Sequence, residues 1–200
     1  MIVIASRNPG KVREIAALPA ASGLEIQAIS DFDNCPDITE DGTNCEENAV
    51  IKAVKYSLWL RRTHGIAPPV ISEDSGLMVF SLMGWPGVHS ARIAETDVER
   101  NWQVLDRLRG KHDRSAQFLA YTALAVNGML IESWRGSVSG AIAEEPRGEQ
   151  GFGYDPIFID LKSGRTFAEL DKERKNALSH RNLAWTQAFD YLRQHHLPVR

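Results

Sequence analysis

The sequence predicts an α/β protein whose two lobes flank a cleft. Three observations carry that expectation. Short apolar strands alternate with helix-periodic stretches through the first half, a long hairpin follows, and the chain closes on an amphipathic helix. Strands and helices mixed in this way pack in layers around a sheet. At 200 residues the chain suits one domain, residues 1–200, with two lobes, no separate linker and a sizeable core.

Met1 to Ala5 is a short apolar strand. From Lys11 the positions Val12, Ile15, Ala16 and Leu18 share one helix face until Pro19 stops it. Glu25 to Ile29 predicts a second strand, and Pro36 to Asn44 a polar loop. Ala49, Ala53, Tyr56 and Leu60 recur at helical spacing, predicting a helix from Glu46 to about Arg62. Gly65, Pro68 and Pro69 end that connection, and a buried strand follows that ends on the acids Glu73 and Asp74. Gly84, Pro86 and Gly87 bend the chain back before Arg92.

Asp97 opens another helix, with Val98, Trp102 and Leu105 on one side. Gln117 to Val126 is rich in strand formers, Asn127-Gly128 is a hairpin signal, and Met129 to Val138 returns. At roughly 3.3 Å per residue these strands are about 30 Å long. Ser179 is the N-cap candidate of the last helix, which is expected to turn Leu183, Trp185, Ala188, Phe189 and Leu192 inward.

Composition narrows the function classes. Hydrophobic residues are 43% and charged residues 24%, the ordinary globular range, and no repeat or low-complexity tract interrupts them. The net charge is −3 with no basic run, which disfavours a nucleic-acid polymer as partner and leaves room for a small anion. No apolar run reaches about 18 residues and the N-terminus lacks a signal-peptide pattern, so a cytoplasmic protein without a membrane partner is expected. Cys35 and Cys45 fit no metal spacing and read as free thiols.

Four stretches carry chemistry. SRNPGK, residues 6–11, joins the first strand to the first helix, where backbone N–H groups receive anions; a plain strand-to-helix turn explains it equally well. In TEDGTNCEENA, Glu46 and Glu47 read equally as helix-dipole acids that need no ligand or as ligand-facing acids, whereas Glu40 precedes the glycine turn. Paired across space with Asp74, Glu40 would complete a carboxylate site of the kind Mg²⁺ takes. GFGYDPIF, residues 151–158, reads either as a ligand loop whose aromatics stack on a base or as a hydrophobic plug. KNALSHR brings Lys175, His180 and Arg181 near the start of the last helix, where a bound anion would relieve their opposition to the dipole; a single His there is equally a structural residue.

Taken in order, SRNPGK, EDGTNCEENA, EDSGL, PGVHSAR, GFGYDPIF and ALSHR resemble the inosine triphosphatase family, the non-canonical purine nucleoside triphosphate pyrophosphatases also called dITP/XTP diphosphatases. The resemblance runs essentially end to end. It implies an elongated mixed sheet with flanking helices, two lobes around a central active-site cleft, and a homodimer. It implies Mg²⁺-dependent hydrolysis of ITP, dITP or XTP to the monophosphate and pyrophosphate, clearing deaminated purines from the nucleotide pool. Carried over by position, Ser6, Arg7, Asn8, Pro9, Gly10 and Lys11 hold the triphosphate, Asp74 is the proton acceptor and a metal ligand, and Glu40 is the second metal ligand. Ser75 contacts substrate. Phe152, Gly153, Tyr154 and Asp155 line the base pocket, which Lys175, His180 and Arg181 complete. A donor from His180 or Arg181 aimed at a 6-oxo group would reject adenine.

Four positions depart from the family pattern: Glu73 stands for an Asp, Asn44-Cys45 for Thr-Phe, and His89 for Tyr. Two other readings compete, a pyrophosphatase of similar shape acting on modified pyrimidine triphosphates and a nucleotide-binding module without turnover. Glu40, Asp74 and Lys11 together disfavour the second, since a pure binder has no need of the acid pair.

Overall fold

The computed structural model describes residues 1–195. Its elements in order are β1 (Ile2–Ile4), α1 (Pro9–Ala16), β2 (Ile26–Ala28), α2 (Cys45–Trp59), β3 (Val70–Val79), α3 (Asp97–Arg107), β4 (Ser115–Val126), β5 (Met129–Ile142), β6 (Phe158–Asp160), α4 (Lys172–Leu178) and α5 (His180–Gln194). The strands form one mixed sheet of order β2-β1-β3-β4-β5-β6. β1 is parallel to β2 and β3, with Ile2 opposite Ile26 and Val3 opposite Val70, whereas β5 and β6 are antiparallel. The mixed α/β class is as expected from the sequence. Among the described residues, no helix is long and apolar enough to cross a membrane.

The chain divides into two compact units, one of residues 1–74, 120–136 and 181–195, the other of residues 75–119 and 137–180. In the first unit, strand alternation sorts the core onto two faces. Ile2, Ile4, Ile71 and Leu124 pack with Ile15 of α1, with Leu18 just beyond it, and with Trp185, Ala188 and Phe189 of α5. Val3, Ala5 and Val70 pack with Tyr56 and Leu60 of the α2 region, and small Ala49 and Ala53 lie against Ala123 and Ala125. The second unit has its own core, in which Leu77 and Val79 of β3 meet Val104, Leu105 and Leu108, Phe118 and the aromatic pair Phe158 and Phe167.

Several boundaries differ from the sequence expectation, each for a physical reason. β3 does not stop at its acids: it runs on through Asp74, Ser75 and Gly76 to Val79. Gly76 permits this because a Cβ there would collide with the Gly87 carbonyl, and Ser90 Oγ closes the same turn by accepting from the Leu77 N–H at 2.9 Å. α3 buries Asn101, Val104 and Leu105, while Val98 and Trp102 are more than half exposed, so its inward face lies one residue round from the one expected. In α5, Trp185, Ala188, Phe189 and Leu192 are buried as expected, but Leu183 is exposed. The hairpin at Asn127-Gly128 forms as read, both residues taking positive φ (53° and 77°).

Candidate active site

Glu73 and Asp74 are consecutive on a strand, so their side chains leave opposite faces of the sheet. That single fact separates their roles. Asp74 points toward α2, where Asn48 Nδ2 reaches its Oδ2 at 3.4 Å and Lys52 Nζ lies 3.5 Å from its Oδ1. Lys52 also lies 3.2 Å from Glu40 Oε1 and donates to the Glu73 carbonyl at 2.9 Å. One ammonium thus gathers the loop carboxylate of Glu40 and the strand carboxylate of Asp74. Asn48 steadies the group by accepting from the Gly42 N–H at 2.8 Å, which fixes the turn beyond Glu40. Cys45 borders the same carboxylate; burial first, then the Asp74 charge, push its thiol up to about 12.

The chemistry of this donor set suits a hard divalent cation. Two carboxylates already converge on one positive group, and such a cation takes a few carboxylates and fills its remaining positions with water and phosphate oxygens. Among the described residues, no group of three or more His, Cys, Asp or Glu side chains is placed to hold a metal. A cation on Glu40 and Asp74 would therefore draw its other ligands from solvent or substrate.

Glu73, on the opposite face, belongs to a buried network. Its carboxylate accepts from Arg181 Nε at 2.8 Å and Nη2 at 2.9 Å, and from Trp185 Nε1 at 2.7 Å. Arg181 Nη1 donates to Glu14 of α1 at 2.5 Å. Burial works against this guanidinium, yet Glu73 and Glu14 outweigh it and hold Arg181 above its ordinary pKa. The long arm of Glu73 meets Arg181 in the two-pronged geometry that guanidinium and carboxylate favour. Its Oε1 also lies 3.4 Å from Lys11 Nζ, anchoring the cation that the SRNPGK loop presents.

Within that loop, Asn8 caps α1 by accepting from the N–H groups of Gly10 at 2.8 Å and Lys11 at 3.1 Å, with Pro9 in the first turn. Ser6 Oγ accepts from the Asn8 N–H at 3.2 Å, and Arg7 pairs with Asp37. The Asn8 cap matches the strand-to-helix-turn reading of SRNPGK, in which Arg7 and Lys11 carry the positive charge. Glu47 follows the dipole-and-cap reading: Thr43 donates to it from backbone (2.7 Å) and hydroxyl (2.9 Å).

The second unit carries the GFGYDPIF loop. Tyr154 is buried in that unit's core and its hydroxyl donates to the Ser90 carbonyl at 2.6 Å, so its ring serves as the hydrophobic plug. Phe152 is 39% exposed and has the Lys175 ammonium 4.8 Å from its ring centroid. Asp155 is buried, accepting from Lys175 Nζ at 2.7 Å and from the Phe152 N–H at 2.8 Å. Lys175 lies in the last turn of α4, not at the start of the last helix, so Asp155 and the C-terminal end of α4 both favour its charge. His180 stacks on Phe118, centroids 4.7 Å apart.

Sequence reasoning singled out Glu40, Asp74 and Lys11 but missed Lys52, Asn48 and Glu14. A signal for two of them existed: Cys45, Asn48 and Lys52 lie on one face of α2 alongside its buried alanines, and an amide and an ammonium on an inward face call for partners. Glu14 gave no such signal, because its partner lies 167 residues away.

Residues 2–191 match the Ham1 family. A dITP/XTP pyrophosphatase of Geobacillus kaustophilus is 46% identical over 191 residues, covering 93% of this chain and 91% of that protein. The solved Ham1 protein of Staphylococcus aureus superposes with a TM-score of 0.85 at 36% identity, covering 97% of this chain and 98% of its own. That of Coxiella burnetii gives 0.84 at 39% identity, covering 96% and 98%.

Proposed function

The chain belongs to the Ham1 family, and from that premise we propose that it hydrolyses ITP, dITP and XTP to the monophosphate and pyrophosphate with Mg²⁺ held by Glu40 and Asp74. It is a nucleoside triphosphate pyrophosphatase, a hydrolase, as its relatives are named. The observation that carries the finer reading is the convergence of Glu40 and Asp74 on the Lys52 ammonium.

Hydrolysis of a phosphoanhydride needs charge neutralisation and a positioned water more than covalent help from the protein. The cation, when bound, supplies neutralisation of the triphosphate. Asp74 accepts the proton of the attacking water, with Asn48 and Lys52 holding its carboxylate in one orientation. Lys11, kept in place by Glu73, and Lys52 meet the charge that builds on the phosphate oxygens as the α–β bond breaks. At the N-terminal turn of α1, Ser6, Arg7 and Asn8 offer side-chain donors to the phosphate oxygens, and Pro9 and Gly10 shape the turn that presents them.

Base selection falls to the GFGYDPIF loop. A purine stacked on the exposed part of Phe152 lies beside the Lys175 ammonium, a donor only. A 6-oxo group accepts from such a donor, whereas the 6-amino group of adenine opposes it, and mismatches of that kind reach ~10⁴-fold. His180 completes the pocket, and Ser75 contacts the substrate. Arg181 supports the site through Glu73, since the structure commits its guanidinium to two carboxylates. A homodimer remains part of the proposal on the family resemblance alone.

The test is pyrophosphate release across ITP, dITP, XTP, ATP, GTP and modified pyrimidine triphosphates with Mg²⁺. The three 6-oxo substrates lacking a 2-amino group are expected to lead by a wide margin. Equal rates on all, or none on any, would reject the reading.

A further inference from the structure

We propose that Asp97 and Asn101 of α3 are positioning residues that set the Phe152–Asp155 loop for reading the base, a proposal that rests on the reading of that loop given above. The Gly153 N–H donates to Asp97 Oδ2 at 2.7 Å, and the Gly153 carbonyl accepts from Asn101 Nδ2 at 3.1 Å. Two side chains one helical turn apart therefore hold both polar groups of a single loop residue, the work a neighbouring strand does in a sheet. Gly153 has φ +65°, so the clamp grips the loop at a backbone conformation the rest of the chain does not enforce by packing: a Cβ there would meet nothing within 4 Å.

The clamp is itself braced. Asp97 Oδ1 takes Arg100 Nη1 at 2.5 Å, while Arg100 Nε and Nη2 donate to the carbonyls of Ala94 and Glu95 at 3.0 Å each. On the other side of Phe152, its own N–H donates to Asp155, which is tied to Lys175. The backbone is thus fixed immediately before and after the Phe152 side chain. The direction of that ring, and of the ammonium resting on it, follows from those bonds.

Asn101 shows that the arrangement serves more than packing. It is 4% exposed, and its Oδ1 is buried without a partner among the described residues. An amide left in that state costs stability that an apolar side chain of the same size would not. A residue serving packing alone would be apolar, as Val104, Leu105 and Leu108 beside it are. The bond that requires an amide is the one to Gly153, because only the Nδ2 end of the side chain donates to a carbonyl.

The experiment compares Asn101→Leu with the wild-type protein on ITP and ATP and by thermal unfolding, with Phe152→Ala measured in parallel. Asn101→Leu is expected to lower the ITP-to-ATP ratio of kcat/KM by about tenfold or more, since sub-ångström displacement of a reading group costs that much. Its Tm is expected to hold or rise as the unanswered acceptor is removed. A residue of purely structural value would instead lower Tm and slow both substrates in parallel, leaving the ratio unchanged, and that result overturns the proposal. An altered ratio in Phe152→Ala with an unaltered one in Asn101→Leu rejects the clamp and keeps the base loop. Unaltered ratios in both reject the base-loop reading and the clamp with it. Should Asn101→Leu fail to fold, Asp97→Ala removes the acceptor of the Gly153 N–H from a more exposed side and is held to the same ratio.

Discussion

Replacing Arg181 with alanine leaves Glu73 and Glu14 without the guanidinium they share. Both are buried, at 5% and 8% exposure, and Arg181 itself is 4% exposed. Removing one partner of a buried, hydrogen-bonded ion pair costs about 3–5 kcal/mol, because the surviving charge stays desolvated. For a chain of this length, at roughly 2–4 °C per kcal/mol, that is a fall in Tm of roughly 6–20 °C. Arg181→Lys restores the charge without the planar fork that meets both Glu73 oxygens, so it should recover only part of the loss. Thermal unfolding of the three proteins by circular dichroism at neutral pH reads the effect, alongside kcat/KM on ITP and ATP. The structure expects a large drop in Tm and a parallel loss on both substrates. A Tm near the wild-type value together with a collapsed preference for ITP would refute the reasoning and return Arg181 to the base pocket.

The remaining expectations concern the reaction and its pH range. Asp74→Asn should cut kcat by about 10²–10⁴-fold, the usual share of a general base, while the nucleotide Kd stays within a few-fold; near-normal turnover would remove Asp74 from that role. Lys52→Met should lower kcat by about 10²-fold, as loss of one charge-stabilising donor does, and an unchanged kcat would limit Lys52 to holding the two acids. Chelation should abolish turnover and added Mg²⁺ restore it; persistent activity in chelator counts against the carboxylate pair as a metal site. The capping glutamates Glu47, Glu99 and Glu169 lie below the ordinary glutamate value of 4.5, each chiefly through a backbone N–H, from Thr43, Thr96 and Thr166 respectively. The unfolded chain therefore takes up protons first, so their contribution is present above that value and lost as pH falls below it and through the lower folded-state pKa. Glu99→Gln should lose less Tm than the wild type from about pH 5 to about pH 3, and identical pH profiles would contradict the cap.

Local signals in the sequence were reliable where the physics is local. The Asn127-Gly128 turn, the helix beginning at Asp97 and the mixed α/β class all follow from residues close together in the chain. The end of β3 was misplaced because Glu73, Asp74, Ser75 and Gly76 are poor strand formers, and only distant partners make a strand of them: Arg181 and Trp185 for Glu73, Lys52 and Asn48 for Asp74. Tertiary pairing overrides strand propensity there. The acids of the candidate site were visible because carboxylates beside a turn signal chemistry. The roles of Lys52 and Glu14 were not, since an ammonium or a carboxylate on a helix reads as a solvated residue until its partner is known. The acids that Arg181 meets were out of view for the same reason, standing 108 and 167 positions away. Within GFGYDPIF, composition could not tell the buried ring of Tyr154 from the exposed one of Phe152; only packing separates them.

The most direct test of the account is ³¹P NMR of ITP turned over by the protein with Mg²⁺. Hydrolysis at the α–β bond yields IMP and pyrophosphate as the first products, in equal amounts, and Asp74→Asn forms both about 10²–10⁴-fold more slowly. Appearance of IDP and inorganic phosphate instead would contradict it.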